Sequence, residues 1–391
     1  MMQRSDALDL VTADVEARAG RLIEVSHEIH AHPELGYEEH EAHALLTGVL
    51  ADAGLDVERG AFGLDTAFRA VVRGGDGPTV AICCEYDALP GIGHACGHNI
   101  IAAAGIGAGL AAAAVAERLG GTVVILGTPA EEGGGGKIAM MERGALVGID
   151  AAMMVHPADA DLDSFHAIAV HELHCEFHGA AAHAAAAPHR GRNALDAAVA
   201  AYTNVAMLRQ HIESNERIHG IFTHGGDKPN IVPHRAAMDW YVRSGTASSL
   251  LDLEPRFIDC IEAGALATGC TVDHHWVSPP YDDLVVIPSF ARRYADNVAT
   301  RGRTVAPWTG RMDLMGSTDM GNVSHVVPSI HPMIAVAPPG VAIHTPAFAE
   351  HTAAPEGDRA VIDGAVAMAR TVVDLWCDAT LMDTVRGEFA R

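Results

Sequence analysis

The segment Thr79-Val80-Ala81-Ile82-Cys83-Cys84 is almost continuously apolar, which is typical of a strand in a sheet that is covered on both faces. Further buried strands are predicted over 121–127 and 151–155, and a helix of small residues is predicted over 100–119. Strands that alternate with helices predict a layered α/β domain. We expect its central sheet to be mixed and mostly parallel.

The middle of the chain has a different pattern. Between residues 166 and 280, the predicted order of elements is strand, helix, strand, strand, helix, strand, which is that of a ferredoxin-like α+β unit. The α/β pattern resumes after Pro279-Pro280. We therefore expect a discontinuous first domain, residues 1–165 and 281–391, interrupted by an inserted domain, residues 166–280.

The composition limits the partners and the location of the protein. The chain has 50 acidic and 26 basic residues, a formal net charge of −24. Such a surface repels phosphate groups, so we expect no nucleic acid and no membrane among its partners. Hydrophobic residues make up 49% of the chain, which excludes a disordered protein. An odd, scattered set of seven cysteines and an N-terminus without an apolar signal core predict a cytoplasmic location.

Residues that can bind a metal ion follow two of the predicted strands. Cys96 and His98 lie in the segment 93–99, and a thiol with an imidazole is a ligand pair suited to zinc. Glu131 and Glu132 follow the strand over 121–127. One carboxylate could hold a metal ion while the other takes a proton from water that the ion has made more acidic.

Two single histidines follow further strands of the same predicted sheet. His156 comes directly after the strand over 151–155, and His344 follows a strand predicted over 333–336. A lone histidine is more often structural than functional. In α/β proteins, however, ligands bind beyond the carboxyl ends of the strands, where all four segments would meet. The sequence therefore predicts a site for one or two divalent metal ions.

Other interpretations of these residues stay open. The chain could be a catalytically silent homologue that binds a metal ion or another ligand. It could instead use Cys96 as a nucleophile with His94 or His98 as the base, which would leave Glu131 and His156 without a role. The glycine-rich segment 133–136 fits neither a phosphate loop nor a dinucleotide-binding fingerprint.

Eight short motifs, spread over almost the whole chain, form a recognisable set. They are His32-Pro33-Glu34-Leu35-Gly36, Glu85-Tyr86-Asp87-Ala88-Leu89-Pro90, His94-Ala95-Cys96-Gly97-His98, Pro129-Ala130-Glu131-Glu132-Gly133, Gly179-Ala180-Ala181-Ala182-His183-Ala184, Lys228-Pro229-Asn230-Ile231-Val232-Pro233, Gly316-Ser317-Thr318-Asp319-Met320-Gly321 and His344-Thr345-Pro346. The set resembles the co-catalytic metallo-aminoacylase and carboxypeptidase family. Within it, the sequence is similar to the amidohydrolase branch of aminobenzoyl-glutamate hydrolases, indole-acetyl-amino-acid hydrolases and β-alanyl-lysine-type dipeptidases.

The resemblance implies a set of metal ligands. Cys96 would be a thiolate that bridges two ions, with His98 and His156 on one ion and Glu132 and His344 on the other. Zinc is the expected metal, with manganese or cobalt as alternatives. One departure from the wider family is that Glu85-x-Asp87 replaces its His-x-Asp motif, and another is that Asn99 stands where many relatives have aspartate.

The resemblance also implies catalytic roles. Glu131 would be the general base and then the proton donor to the leaving amine, and Asp87 would orient a metal ligand. The inserted domain would be a lid and dimerisation domain, in which His183 polarises the substrate carbonyl in the active site of the other protomer and Asn230 lies near the substrate. These roles describe a homodimeric, metal-dependent amidohydrolase acting on small N-acyl-amino acids or dipeptides. The role of Arg243, at the substrate or on the surface, stays open.

Overall fold

The computed structural model describes residues 2–308 and 315–390. The chain divides into two compact units. The larger unit comprises Met1–His166 and Leu284–Arg391, and the smaller unit comprises Ala167–Asp283. The domain boundaries predicted from the sequence, after residues 165 and 280, lie within three residues of these divisions.

The helices and strands of both units follow in chain order, and they alternate between residues 79 and 153 of the larger unit. The α-helices described are α1 (Arg4–Ala17), α2 (Ala19–Ala31), α3 (His40–Asp52), α4 (His98–Leu119), α5 (Gly136–Glu142), α6 (Ala194–Leu208), α7 (Ala247–Thr268), α8 (Pro288–Ala299), α9 (Met320–Val326), α10 (Pro346–His351), α11 (Pro355–Cys377) and α12 (Ala379–Phe389). The strands described are β1 (Val57–Arg59), β2 (Phe68–Arg73), β3 (Thr79–Cys84), β4 (Thr122–Gly127), β5 (Ala151–Met153), β6 (His156–Ala158), β7 (His166–Ala167), β8 (Ala169–His178), β9 (Arg217–His224), β10 (Arg235–Ser244), β11 (Thr271–Trp276), β12 (Met315–Gly316), β13 (Ser329–Ile330) and β14 (Met333–Ala335).

The main sheet of the larger unit has six strands in the order β1-β2-β4-β3-β5-β13. The four strands β4, β3, β5 and β13 pair in parallel, whereas β1 and β2 pair antiparallel. The prediction of a mixed, mostly parallel sheet is therefore confirmed. Strand β6 pairs in parallel with β14, which places His156 opposite Met333.

The central strands are buried on both faces, as the apolar run in β3 predicts. Val80 and Ile82 pack into the core formed with α1, α2, α4 and α11. Ala81 and Cys83, on the opposite face, pack into a second core that includes residues of α5 and α9. Because successive side chains of a strand point to opposite faces, the sheet lies between two layers of helices.

Helix α4 lies close to the sheet because it is made of small residues. A Cβ on Gly105 would lie 2.5 Å from Cys84 Sγ, and a Cβ on Gly109 would lie 2.4 Å from Ile125 Cδ1. The helix is long and apolar enough to cross a membrane, but 89% of its most apolar window is buried in the protein. That burial is typical of a core helix.

The N-terminal segment forms two consecutive helices rather than one continuous helix. Helix α1 ends at Ala17 and α2 begins at Ala19, with Arg18 between them. Gly20 follows the junction, and glycine weakens a helix interior. Each of the two helices has its own row of buried residues.

The smaller unit is a four-stranded antiparallel sheet with two helices. Its strand order is β11-β8-β10-β9, and its chain order is β8-α6-β9-β10-α7-β11. Alternate residues of β8 are buried, and they pack with residues of α6 and α7 into a separate core. The ferredoxin-like prediction is confirmed, and strand β9 is an edge of the sheet.

Candidate active site

The predicted metal ligands of the larger unit meet in one place. They come from the segments after β3, β4 and β5 and from the loop before α10. Within each of three groups, the possible ligand atoms all lie within 4.8 Å of one another. The groups are Cys96, His98 and His156; Cys96, Glu132 and His344; and Glu85, His98 and Glu131.

The first group contains a thiol and two imidazoles. Cys96 Sγ lies 3.3 Å from His156 Nε2, and His156 Nδ1 lies 2.7 Å from the carbonyl oxygen of Pro157. Burial lowers the pKa of His156 to about 4, so its imidazole is neutral, the form that binds metals. Burial raises the pKa of the Cys96 thiol well above its usual range, so a thiolate there requires a neighbouring cation.

Gly97 allows the side chains of Cys96 and His98, its two neighbours in the chain, to lie together in this group. Its φ angle is 84° at the start of α4, a conformation that glycine adopts without strain. A Cβ at this position would also lie 2.8 Å from Pro157 Cγ. The chain can therefore turn between the two ligands only because residue 97 has no side chain.

The second group joins Glu132 to His344. Glu132 Oε1 lies 3.3 Å from His344 Nε2. Burial acts to raise the pKa of Glu132, but the neighbouring imidazoles of His344 and His98 outweigh it and lower that pKa. His344 has a φ angle of 63°, which is uncommon for a residue other than glycine and occurs often at functional sites.

Asp87 connects the two ligand segments that follow β3 and β4. Its Oδ1 atom lies 3.0 Å from His98 Nδ1, and its Oδ2 atom accepts a hydrogen bond of 2.9 Å from the backbone N–H of Glu132. The other nitrogen, His98 Nε2, is buried and has no hydrogen-bond partner in the part of the chain that the structure describes. A buried imidazole nitrogen without a hydrogen-bond partner, among thiol and carboxylate groups, is suited to binding a metal ion.

Glu131, the predicted general base, lies beside the same nitrogen. Its Oε2 atom is 3.8 Å from His98 Nε2. Burial, together with the charges of Glu85 and Glu132, raises the pKa of Glu131 well above its usual range. The preceding residue, Ala130, has a φ angle of 56°, and its N–H donates to Glu39 Oε1 at 2.8 Å. The hydrogen bond to Glu39 therefore fixes the backbone of the loop that carries Glu131.

A buried ion network behind the site was not predicted from the sequence. Lys137 Nζ lies 2.6 Å from Asp319 Oδ1 and 2.5 Å from Glu85 Oε1, and the N–H of Lys137 donates to Asp319 Oδ2 at 2.8 Å. Burial opposes the charge on Lys137, but Asp319 and Glu85 outweigh it and raise the lysine pKa. The other oxygen of Glu85 lies 3.5 Å from His98 Nε2. The network therefore reaches the candidate metal ligands.

A second missed residue, His331, stacks on a candidate ligand. Its ring lies 5.2 Å from that of His156 and 4.7 Å from that of Phe165, between centroids. His331 is buried, and neither ring nitrogen has a hydrogen-bond partner within residues 2–308 and 315–390. A cavity of about 300 Å³ is lined by His331 and by ligand candidates that include Cys96 and His344. No spacing in the sequence connects His331 with these residues.

His183 and Asn230 lie in the smaller unit, and both are exposed. The N–H of Ala184 donates to the carbonyl oxygen of Asn230 at 3.0 Å, so the two segments are adjacent. His183 Nδ1 accepts hydrogen bonds from the N–H groups of Ala185 and Ala186, at 3.3 and 3.2 Å. Their contact with a substrate stays a prediction, as does the role of Arg243, which is half-buried on β10.

Comparison with known proteins identifies the family. The sequence model of peptidase family M20/M25/M40 matches residues 81–373. The chain belongs to this family. The amidohydrolase branch expected from the motifs is also the one in which its relatives are found.

Two curated relatives and one solved structure illustrate the likeness of this M20/M25/M40 family member. The chain is 39% identical to the mouse (Mus musculus) Xaa-Arg dipeptidase over 393 residues, which cover 96% of this chain and 90% of that protein. It is 34% identical to a p-aminobenzoyl-glutamate hydrolase polypeptide of Escherichia coli K12 over 280 residues, 66% of this chain and 58% of that protein. The Bacillus subtilis YXEP protein, a dinuclear metal binding peptidase, has a TM-score of 0.70 at 21% identity, covering 92% of this chain and 99% of that chain.

These relationships confirm the predicted class of enzyme. The protein is a hydrolase of amide bonds, and the family supports metal-dependent cleavage of dipeptides or N-acyl-amino acids. In the larger unit, a carboxylate oxygen of Glu131 lies within 4.8 Å of possible ligand atoms of Glu85 and His98.

Proposed function

We propose that this protein hydrolyses dipeptides whose C-terminal residue is basic, with Glu131 as the general base at a centre of one or two divalent metal ions. The observation that carries the proposal is the carboxylate of Glu131, 3.8 Å from the buried Nε2 atom of His98 among the ligand groups. The substrate class follows the name of the Xaa-Arg dipeptidase, to which the chain is 39% identical.

Cys96, His98 and His156 would hold one ion, and Cys96, Glu132 and His344 would hold the second. A bound divalent ion polarises the amide carbonyl and makes a nearby water molecule more acidic. We propose zinc as the metal because the donor set contains a thiol and several imidazoles. Manganese and cobalt are the alternatives to test.

The proposed reaction needs one proton to move twice. Glu131 takes a proton from the attacking water, whose oxygen forms a bond with the carbonyl carbon. Glu131 then gives this proton to the amine nitrogen as the C–N bond breaks. Asp87, at 3.0 Å from His98 Nδ1, keeps the other nitrogen of His98 directed towards the ligand groups.

We propose that His183 donates a hydrogen bond to the substrate carbonyl oxygen. Because its Nδ1 atom accepts from two backbone N–H groups, the ring proton lies on Nε2, which is then a donor. A donor directed at the developing negative charge stabilises the transition state. The carbonyl oxygen of Asn230 accepts a hydrogen bond from the N–H of Ala184, the residue after His183. We propose that the Asn230 side chain contacts the substrate.

We also propose a homodimer that forms through the smaller unit, in a cytoplasmic location. Strand β9 is an edge of its sheet, and it exposes Ile221 and Phe222. An edge strand with exposed apolar side chains is suited to pairing with another chain. The free cysteines support the location, because thiols stay reduced in the cytoplasm.

The test is a substrate panel with defined metal content. The protein is treated with a chelator, reloaded separately with Zn²⁺, Mn²⁺ or Co²⁺, and incubated with Ala-Arg, Ala-Lys and N-acetyl-arginine. Hydrolysis that requires the metal and includes the dipeptides supports the proposal. No hydrolysis of any panel member by any metal form, or hydrolysis only of N-acetyl-arginine, would contradict it.

A further inference from the structure

The cavity beside the ligand groups has apolar walls. Phe165, Met333, Val341 and Ile343 line it between the candidate ligands and the surface loop before α10. None of the lining residues that the structure describes is lysine or arginine. The described part of the cavity wall therefore offers neither a lysine nor an arginine to attract an acidic substrate group.

Asp159 is the acidic side chain, among the described lining residues, that lines the cavity without belonging to the candidate ligand groups. It directly follows β6, three residues after His156, and a strand rises about 3.3 Å per residue. The backbone of Asp159 is therefore about 10 Å from that of His156. A backbone separation of this size places Asp159 about three residues along the cavity wall from the ligand groups, so the side chain of a substrate whose amide end is held there can extend towards Asp159.

One oxygen of Asp159 is already engaged. Oδ2 accepts a hydrogen bond of 2.7 Å from the backbone N–H of Gly340, which fixes the carboxylate in the cavity wall. Within residues 2–308 and 315–390, no positively charged side chain pairs with Asp159. The carboxylate is therefore held in place, and among the residues that the structure describes it has no cationic partner.

We propose that Asp159 determines the specificity of the enzyme by binding the cationic end of the substrate's basic side chain. This inference rests on the proposed function, because it assumes that the amide bond is cleaved at the ligand groups. An apolar pocket with a carboxylate at its far end selects basic side chains, the principle that serine proteases use in their primary specificity pocket. The apolar walls would pack on the methylene groups of that side chain.

A purely structural role for Asp159 predicts a different result, and one substitution separates the two. Asp159→Asn keeps an oxygen that can accept from the N–H of Gly340, but it removes the charge. If Asp159 only anchors the loop of Gly340, this variant resembles the wild type with every substrate. If Asp159 binds a cation, only substrates with a charged side chain are affected.

The experiment compares kcat/KM for Ala-Arg and for Ala-citrulline, whose side chain has the same shape but no charge. We expect the wild type to prefer Ala-Arg by about 10- to 100-fold, the range for one charge-assisted hydrogen bond. Asp159→Asn should bring this ratio close to one, mainly through a fall in kcat/KM for Ala-Arg. The matched control is Asp163→Asn, since Asp163 also accepts a backbone N–H, from Trp308 at 2.8 Å, but does not line the cavity. It should keep the preference.

Binding provides a second readout that does not depend on turnover. Free L-arginine and free L-citrulline are titrated separately into the wild type and into Asp159→Asn, and binding is measured by calorimetry. The wild type should bind arginine more tightly than citrulline, and Asp159→Asn should bind the two with similar affinity. Equal wild-type kcat/KM for Ala-Arg and Ala-citrulline, or an unchanged preference in Asp159→Asn, would overturn the inference while leaving the proposed hydrolysis intact. Failure of the proposed function is distinct, since neither dipeptide would then be cleaved in any metal form.

Discussion

The Nδ1 atom of His98 lies 3.0 Å from Oδ1 of Asp87. Because the other oxygen of Asp87 accepts the N–H of Glu132, one carboxylate orients the ligand segments after both β3 and β4. We predict that Asp87→Ala lowers metal affinity by about 10- to 100-fold, the usual effect of removing such a partner. Competition with a chromogenic chelator measures this affinity. An affinity equal to that of the wild type would show that Asp87 does not orient His98.

Substitution of Glu131 separates base catalysis from metal binding. Glu131→Gln keeps the size of the side chain but cannot take a proton, so we expect kcat to fall by about 10²- to 10⁴-fold while the metal content is retained. The control variant is Glu132→Gln, in which we expect a lower metal content because Glu132 is a candidate metal ligand. Metal per chain, by atomic emission, is measured together with kcat. Wild-type turnover in Glu131→Gln would remove this residue from the mechanism.

The buried ammonium of Lys137 predicts a large effect on stability. Lys137→Met leaves Glu85 and Asp319 as buried carboxylates without their cation, so the free energy of unfolding should fall by about 3–5 kcal/mol. Urea denaturation of the metal-free protein measures this change.

The control for this prediction removes all three charges. Combining Lys137→Met with Glu85→Gln and Asp319→Asn leaves neutral groups of similar size, and we expect it to recover most of the lost stability. If Lys137→Met alone had the urea midpoint of the wild type, the network would not contribute to stability.

The proposed role of His183 predicts complementation between inactive variants. His183→Ala should lower kcat by about 10²- to 10³-fold, the effect of losing one donor to the transition state, without loss of metal. In a mixed dimer with Glu131→Gln, one active site would have both an intact Glu131 and a His183 from the other protomer. Co-expression of the two variants should therefore restore activity. Isolated mixed dimers without activity would contradict this role.

The sequence predicts most of the metal site because of the way α/β sheets are built. Parallel strands end at one edge, so the residues that follow them, such as Cys96, Glu132 and His156, are brought together even though they lie far apart in the chain. The apolar run of β3 similarly indicates a central strand, since both of its faces are buried. These predictions depend on local patterns and on topology alone.

The residues that were missed depend on contacts that no local pattern contains. Lys137 and Asp319 are 182 positions apart, and the motif that contains Asp319 does not indicate that its side chain pairs with Lys137. His331 is recognisable only through its stacking on His156. Asp159 becomes a candidate only when the cavity that it lines is known. Such side-chain contacts follow from tertiary packing.

Removal of the metal tests the central claim most directly. After chelation, the metal content per chain and the rate of Ala-Arg hydrolysis are measured, and both are measured again during titration with Zn²⁺. We predict that the metal-free protein is inactive and that activity returns in proportion to the metal bound, with no metal-dependent recovery when His156 is changed to alanine. Hydrolysis at the original rate by protein shown to contain no metal would contradict the claim.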